Sequence, residues 1–297
     1  MHRVLEHIDR HLDQSLDLEV LAGVAHFSPF HFHRLFAAWM GERLGDYVRR
    51  RRLEVAAFRL FAQAGTPVLE IALSVGFGSA EAFTRAFKDR FAYTPAAWRQ
   101  YQIELHRANS KINQVLSKND QLLSYASFHN GISANLKQVN SMDVKLIHRT
   151  EVKIAYLRHI GPYGASVGQF WADTVVPWMA MHDLFGRARY GISHDDPSIT
   201  EPALCRYDAA VELPDNADVP GNALLTSIPG GEYAALSFEG TNAEIGAAWT
   251  AILRDWLPSS GYQLDARPCF EYYSANSCFD PETGIFDCDI CIAVVPL

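Results

Sequence analysis

The sequence predicts a two-domain chain, an all-α N-terminal half followed by an α+β C-terminal half, and three observations carry that prediction. A length of 297 residues exceeds the roughly 100–200 of one domain, so two are expected. A helix–turn–helix pattern of apolar residues occurs twice before residue 100, and a strand–turn–helix pattern occurs twice after residue 150. Charge divides along the same line: residues 1–107 carry a net +2, residues 108–140 another +2, and residues 141–297 a net −12. Halves of opposite sign are expected to meet different partners.

At 48% hydrophobic and 20% charged the chain can bury substantial cores, which excludes a disordered, collagen-like or disulfide-stapled protein. Its five cysteines, Cys205, Cys269, Cys278, Cys288 and Cys291, are odd in number and late in the chain, as suits reduced thiols in a cytoplasm. The first residues, Met1 to His7, are charged rather than signal-like, and no apolar run approaches the ~18 residues of a membrane span. A cytoplasmic protein without a membrane segment is expected. Residues 108–140 are rich in Asn and Ser and read as a linker, helical in part because Ile112, Val115 and Leu116 recur at three and four. The expected domains are therefore 1–107 and 141–297.

In the N-terminal half, Ser28-Pro29-Phe30-His31-Phe32-His33-Arg34-Leu35-Phe36 and Ser79-Ala80-Glu81-Ala82-Phe83-Thr84-Arg85-Ala86-Phe87 share Ser, Phe, Arg and Phe at identical spacing, 51 residues apart. Each follows a short apolar helix and a tight turn, Leu18 to Phe27 in the first and Val68 to Gly78 in the second. A helix, a short turn and a Ser-capped second helix make a helix-turn-helix, here in tandem. The spacing turns Phe32, Leu35, Phe36 and Trp39 toward the core, with Phe83, Phe87 and Phe91 in the second unit. Phe30, His33, Arg34 and Ala37 then face outward, as do Glu81, Thr84, Arg85 and Lys88. A connecting helix over Leu44 to Gln63, roughly 30 Å long, approaches the 34 Å turn of B-DNA, which would set two recognition helices in successive major grooves. The run Arg49 to Arg52 on this connector is either a solvated face or a set of phosphate contacts.

Residues 1 to about 101 resemble the tandem, homeodomain-like DNA-binding domain of AraC/XylS transcription regulators, through Leu21-Ala22, Ser28, Arg34 and Phe36, then Ile71-Ala72, Val75-Gly76-Phe77, Phe83, Arg85, Phe87-Lys88, Phe91, Thr94-Pro95 and Arg99. The resemblance implies double-stranded DNA as partner and base-reading positions at Phe30, His33 and Arg34, and at Ala80, Glu81, Thr84 and Arg85. RNA polymerase is a further candidate partner. Ala92 replaces the glycine usual before Thr-Pro, and Glu81 either favours the helix dipole or accepts from a cytosine amine.

In the acidic half, Lys153 to Leu157 through Gly161 leads into a helix with Trp171 and Trp178, and Glu232 to Leu236 through Gly240 leads into one with Trp249 and Trp256. Further strands are expected at Val144 to Arg149, Tyr190 to His194, Asp208 to Leu213, Phe270 to Ser274 and Asp289 to Val295. Two such α+β units are expected to pack about a pseudo-two-fold axis. His31 and His33, two apart with His26 nearby, point to different faces of a helix, and Cys288-x-x-Cys291 sits in a terminal strand without a second pair. Neither reads as a metal site, and no cofactor is expected.

This half resembles the GyrI-like small-molecule-binding domain through Gly161-Pro162-Tyr163, Cys205-Arg206-Tyr207-Asp208, Gly230-Gly231-Glu232-Tyr233 and Phe270-Glu271-Tyr272-Tyr273. The resemblance implies that Glu271 contacts the ligand, with Tyr163, Trp171, Tyr207 and Trp249 as further ligand-binding candidates. A carboxylate in that apolar strand is costly unless paired or open to a cavity; otherwise it is an exposed edge-strand charge. A regulator controlled by a small cationic or amphipathic effector is expected. The alternative is an enzyme, since some GyrI-like domains hydrolyse toxic small molecules; Glu271 with Trp171 or Trp249 would then be the working pair.

Overall fold

The computed structural model describes residues 1–104, 143–214, 217, 220–265 and 267–297. The linker expected over 108–140, with its turns around Ile112, Val115 and Leu116, lies outside the described residues. The chain divides into two compact units, Met1–Ile103 and Glu104–Leu297.

In the first unit, helices α1 (His2–Arg10), α2 (Leu18–Val24), α3 (Pro29–Met40), α4 (Leu44–Ala62), α5 (Val68–Ser74) and α6 (Ala80–Phe91) are followed by α7, helical over residues 95–104. Ser28 Oγ accepts from the His31 amide and Ser79 Oγ from the Ala82 amide, so each second helix starts on its serine cap. Each turn passes through one residue at positive φ, His26 (57°) and Gly76 (81°). At Gly76 a Cβ would collide with the Leu12 carbonyl oxygen, because the second module's turn meets the first module there. One core gathers Leu5, Ile8, Leu21, Phe32, Phe36 and Tyr47. The second buries Ala57, Leu60, Ile71, Val75, Phe83 and Phe87, with Trp98 Nε1 donating to the Ala57 carbonyl (3.2 Å). Helix α4 thus contributes one end to each core. Burying a Phe such as Phe32 or Phe83 is worth about 1.5–3 kcal/mol.

Two expectations are corrected in α3. Leu35 is 44% exposed and Trp39 39%, because the buried stripe runs at four-residue steps through Phe32, Phe36 and Met40 and leaves residues one turn-edge away at its rim. Trp39 instead packs edge-on against His2, 5.0 Å between ring centres. Phe91 is only half-buried, against Trp98.

The second unit is a nine-stranded antiparallel sheet of β1 (Val144–Arg149), β2 (Val152–Ile160), β3 (Arg189–Ser193), β4 (Arg206–Glu212), β5 (Leu224–Ile228), β6 (Gly231–Gly240), β7 (Tyr262–Leu264), β8 (Phe270–Tyr273) and β9 (Phe286–Pro296). Its order is β1-β6-β9-β8-β3-β4-β2-β5, with β7 on β9. This is two four-stranded halves, β5-β2-β4-β3 and β1-β6-β9-β8, joined along β3 and β8. Each half carries a helical segment after its long strand: α8 (Ala165–Phe170), a π-turn (Trp171–Val175) and α9 (Val176–Met181) in one, α10 (Ile245–Thr250) and a π-turn (Ala251–Trp256) in the other.

The registers define the pseudo-two-fold. Leu157 pairs with Ala209, which pairs with Gly191; Leu236 pairs with Ile290, which pairs with Glu271. Gly191 and Glu271 are therefore equivalent positions, and they pair with each other across the seam.

Candidate functional site

Glu271 lies on β8, an inner strand, and is only 6% exposed, so the edge-strand alternative is corrected. Three neutral donors satisfy it: Trp249 Nε1 gives to Oε1 (3.0 Å), while Tyr207 and Tyr273 hydroxyls give to Oε2 (3.1 and 2.9 Å). Trp171 Nε1 in turn donates to the Tyr207 hydroxyl (3.2 Å). The two helical segments thus each send one tryptophan to the seam, and both rings remain partly exposed. Space for this cluster comes from Gly191, where a Cβ would collide with the Tyr207 hydroxyl and the Glu271 carboxylate.

Among the described residues no Lys, Arg or His forms an ion pair with Glu271. Burial raises its pKa, against the opposing hydrogen bonds of Trp249, Tyr273 and Tyr207. Burial and the Glu271 charge together push the Tyr207 and Tyr273 phenols well above their usual value. The site is an acceptor enclosed by neutral donors and aromatic faces.

Of the predicted ligand residues, Glu271, Trp249, Tyr207 and Trp171 form one hydrogen-bonded chain. Tyr163 packs on Tyr207 at 6.4 Å, but its hydroxyl is committed elsewhere, donating to the Arg206 carbonyl (2.7 Å) and accepting from the Asp195 amide (3.2 Å). Tyr273 went unselected although strand alternation places it on the Glu271 face, two residues on. The same alternation turns Phe270 and Tyr272 to the opposite face, among Tyr190 and Tyr233. It also sends Cys288 and Cys291 of β9 to opposite faces.

A second charged group is built on Arg206 and Asp208 of the Cys205-Arg206-Tyr207-Asp208 motif, with partners that the sequence did not point to. Arg158 grips Asp208 through two bonds of 2.6 Å, His194 Nε2 lies 2.6 Å from the same carboxylate, and Arg206 pairs with Asp195 at 2.9 Å. Burial opposes charge on Asp208, yet His194 and Arg158 hold its carboxyl well below the usual range.

In the first unit, Phe30 is 67% exposed with the Arg34 guanidinium over its ring at 5.7 Å. His33, Arg34, Glu81 and Arg85 are exposed, while Ala80 and Thr84 are half-buried. The Glu81 carboxyl is held low by its own backbone N–H and the Ser79 hydroxyl, at the positive end of α6. The arginine run is corrected at its middle. Arg50 bonds Glu42 (3.1 Å) and Glu54 (3.0 Å), and Arg51 bonds Glu54 (3.1 Å) and Asp9 (3.3 Å), so these two are neither solvated nor free for phosphate.

These features define a tandem helix-turn-helix joined to a sheet domain with a buried acceptor at its two-fold seam. Residues 142–295 match the GyrI-like small molecule binding domain, and the chain belongs to that family. Residues 21–101 match a helix-turn-helix domain family, of AraC type. The transcriptional regulator Rob of Salmonella typhimurium is 43% identical over 93 residues, 31% of this chain and 32% of Rob. The chain thus spans about a third of the length of that relative. A DNA gyrase inhibitor of Cronobacter sakazakii is 31% identical over 156 residues, 52% of this chain and 97% of the inhibitor. A solved EcmrR–DNA complex covers 94% of this chain and 99% of EcmrR at 13% identity, with a TM-score of 0.42. Among the described residues, no helix is long and apolar enough to cross a membrane.

Proposed function

We propose that the chain is a sequence-specific DNA-binding transcription regulator, its first unit reading two successive major grooves and its second unit binding a small cationic or amphipathic effector. The observation that carries the effector class is Glu271, a buried carboxylate with neutral hydrogen-bond donors and aromatic faces around it. An organic cation would supply the missing positive charge and stack on Trp171 and Trp249, both partly open. The net −12 of residues 141–297 favours cations over anions in the same direction. On this reading the chain acts in the cytoplasm, meets RNA polymerase at its operator and turns over no substrate.

Arg34→Ala and Arg85→Ala are each expected to weaken specific duplex binding, since one bidentate Arg–guanine contact is worth about 1–3 kcal/mol. Glu271→Gln is expected to lower affinity for a cationic ligand far more than for a neutral one of equal size, read by tryptophan fluorescence. Equal losses for both ligands would make Glu271 structural. Product accumulating beyond protein stoichiometry would instead mark the hydrolase.

A further inference from the structure

Between the two helix-turn-helix modules lies a cleft of about 780 Å³, floored by α4 and walled by α2, α3 and α6. Three guanidinium groups line it, Arg49 and Arg52 from α4 and Arg85 from α6, with His33 of α3; Asp17 is the one carboxylate in the lining. The arginine run on α4 therefore splits by face: Arg50 and Arg51 are spent on carboxylates, whereas Arg49 and Arg52 are turned to the cleft. Arg49 is exposed and, among the described residues, ion-pairs with Asp89 alone, at 4.0 Å. Arg52 is half-buried and wedged against Gly76; Nη2 donates to the Gln14 carbonyl (2.7 Å), and the charge of Asp13 acts on it. Its Nε is buried with no hydrogen-bond partner among the described residues. Three guanidinium groups against a single carboxylate give the cleft lining a net positive charge, which favours an anionic occupant.

We propose that this cleft is a phosphate site, and that the phosphodiester it holds belongs to the DNA backbone between the two half-sites, with Arg49 and Arg52 as its ligands. The inference rests on the DNA-binding reading above. His33 and Arg85, base-reading candidates on separate recognition helices, border the same cleft, so a duplex engaging both helices must pass across its mouth. What lies between two successive major grooves is the minor groove and the two backbones that border it, whose phosphates carry charge but no base pattern. Arg49 and Arg52 thus add affinity and fix the spacing of the half-sites, while sequence is read on either side.

The test is the salt dependence of duplex binding by the full chain, compared among wild type, Arg49→Gln, Arg52→Gln and Arg52→Lys. Arg49→Gln removes a side chain whose ion pair with Asp89 is long and exposed, and Arg52→Lys keeps charge if Arg52→Gln perturbs folding. Each lost phosphate contact should flatten the slope of log K against log salt by about 0.9, with base preference unchanged. A methylphosphonate at the central backbone position should weaken wild type more than it weakens Arg49→Gln or Arg52→Gln, each of which has already lost one contact to that phosphate. Unchanged slopes with normal base preference would overturn the cleft assignment and leave the DNA-binding reading standing; absence of any specific duplex binding by wild type would remove that reading first. If slopes are unchanged while inorganic phosphate at matched ionic strength raises the melting temperature of wild type but not of Arg49→Gln, the cleft takes free phosphate and the DNA source is overturned.

Discussion

Two buried carboxylates in the sheet domain are held in opposite ways, and their pH dependences follow with opposite sign. Glu271 has its pKa raised by burial, so its contribution to stability is full below the unfolded carboxyl pKa near ~4.3 and is lost as pH rises through the folded value. Glu271→Gln should remove that loss, and the melting temperature of the variant should fall less than that of wild type between acid and neutral pH. A cation needs the ionised form, so its affinity should rise with pH through the folded pKa of Glu271 and stay flat in the variant. Asp208 is depressed by His194 and Arg158, so its stabilisation is present above about pH 3.9 and lost as pH falls through its folded value. Asp208→Asn leaves the Arg158 guanidinium, 1% exposed, without its counter-ion and should cost about 3–5 kcal/mol in denaturant unfolding.

At the scale of elements, the repeat in the N-terminal half was legible because each module repeats a cap, a turn and a buried stripe. Gly41 at the end of α3 and Ala92 at the end of α6 are the equivalent stop positions, both left-handed, with φ of 72° and 62°. A left-handed conformation costs an L side chain ~1–2 kcal/mol and glycine little of that. Ala92→Gly should therefore stabilise the unit by about 1 kcal/mol, visible as a rise in its melting temperature. Spacing misplaced Leu35 and Trp39 because a helical repeat defines the centre of a buried stripe better than its rim. Strand β5, Leu224-Leu225-Thr226-Ser227-Ile228, went unpredicted because it lacks alternation, and its edge position demands none. Glu54, four and three residues beyond Arg50 and Arg51 on α4, was a partner that spacing could have found, whereas Glu42 and Asp9 come from other segments and were hidden.

At the scale of the molecule, the sheet domain places on its own symmetry element a buried carboxylate that has hydrogen-bond donors but no counter-ion among the described residues. Duplication would put the same residue on both strands of the seam; glycine at 191 and glutamate at 271 break that symmetry and make room for one carboxylate and one tyrosine hydroxyl. The faint repeat made the two halves readable in the sequence, and the family resemblance pointed to Glu271. The pairing of Gly191 with Glu271 depends on register and could not be read without the fold. The central claim is that a cation held at Glu271 changes how the full chain holds DNA, a coupling that must be reciprocal. The direct measurement is fluorescence anisotropy of an operator duplex with the full chain, titrated with and without a saturating organic cation at fixed salt, in wild type and Glu271→Gln. The account predicts a shift in duplex affinity, typically 5–150-fold for an allosteric coupling, in wild type alone. Identical duplex affinity with and without cation in wild type, or an equal shift in Glu271→Gln, would contradict it.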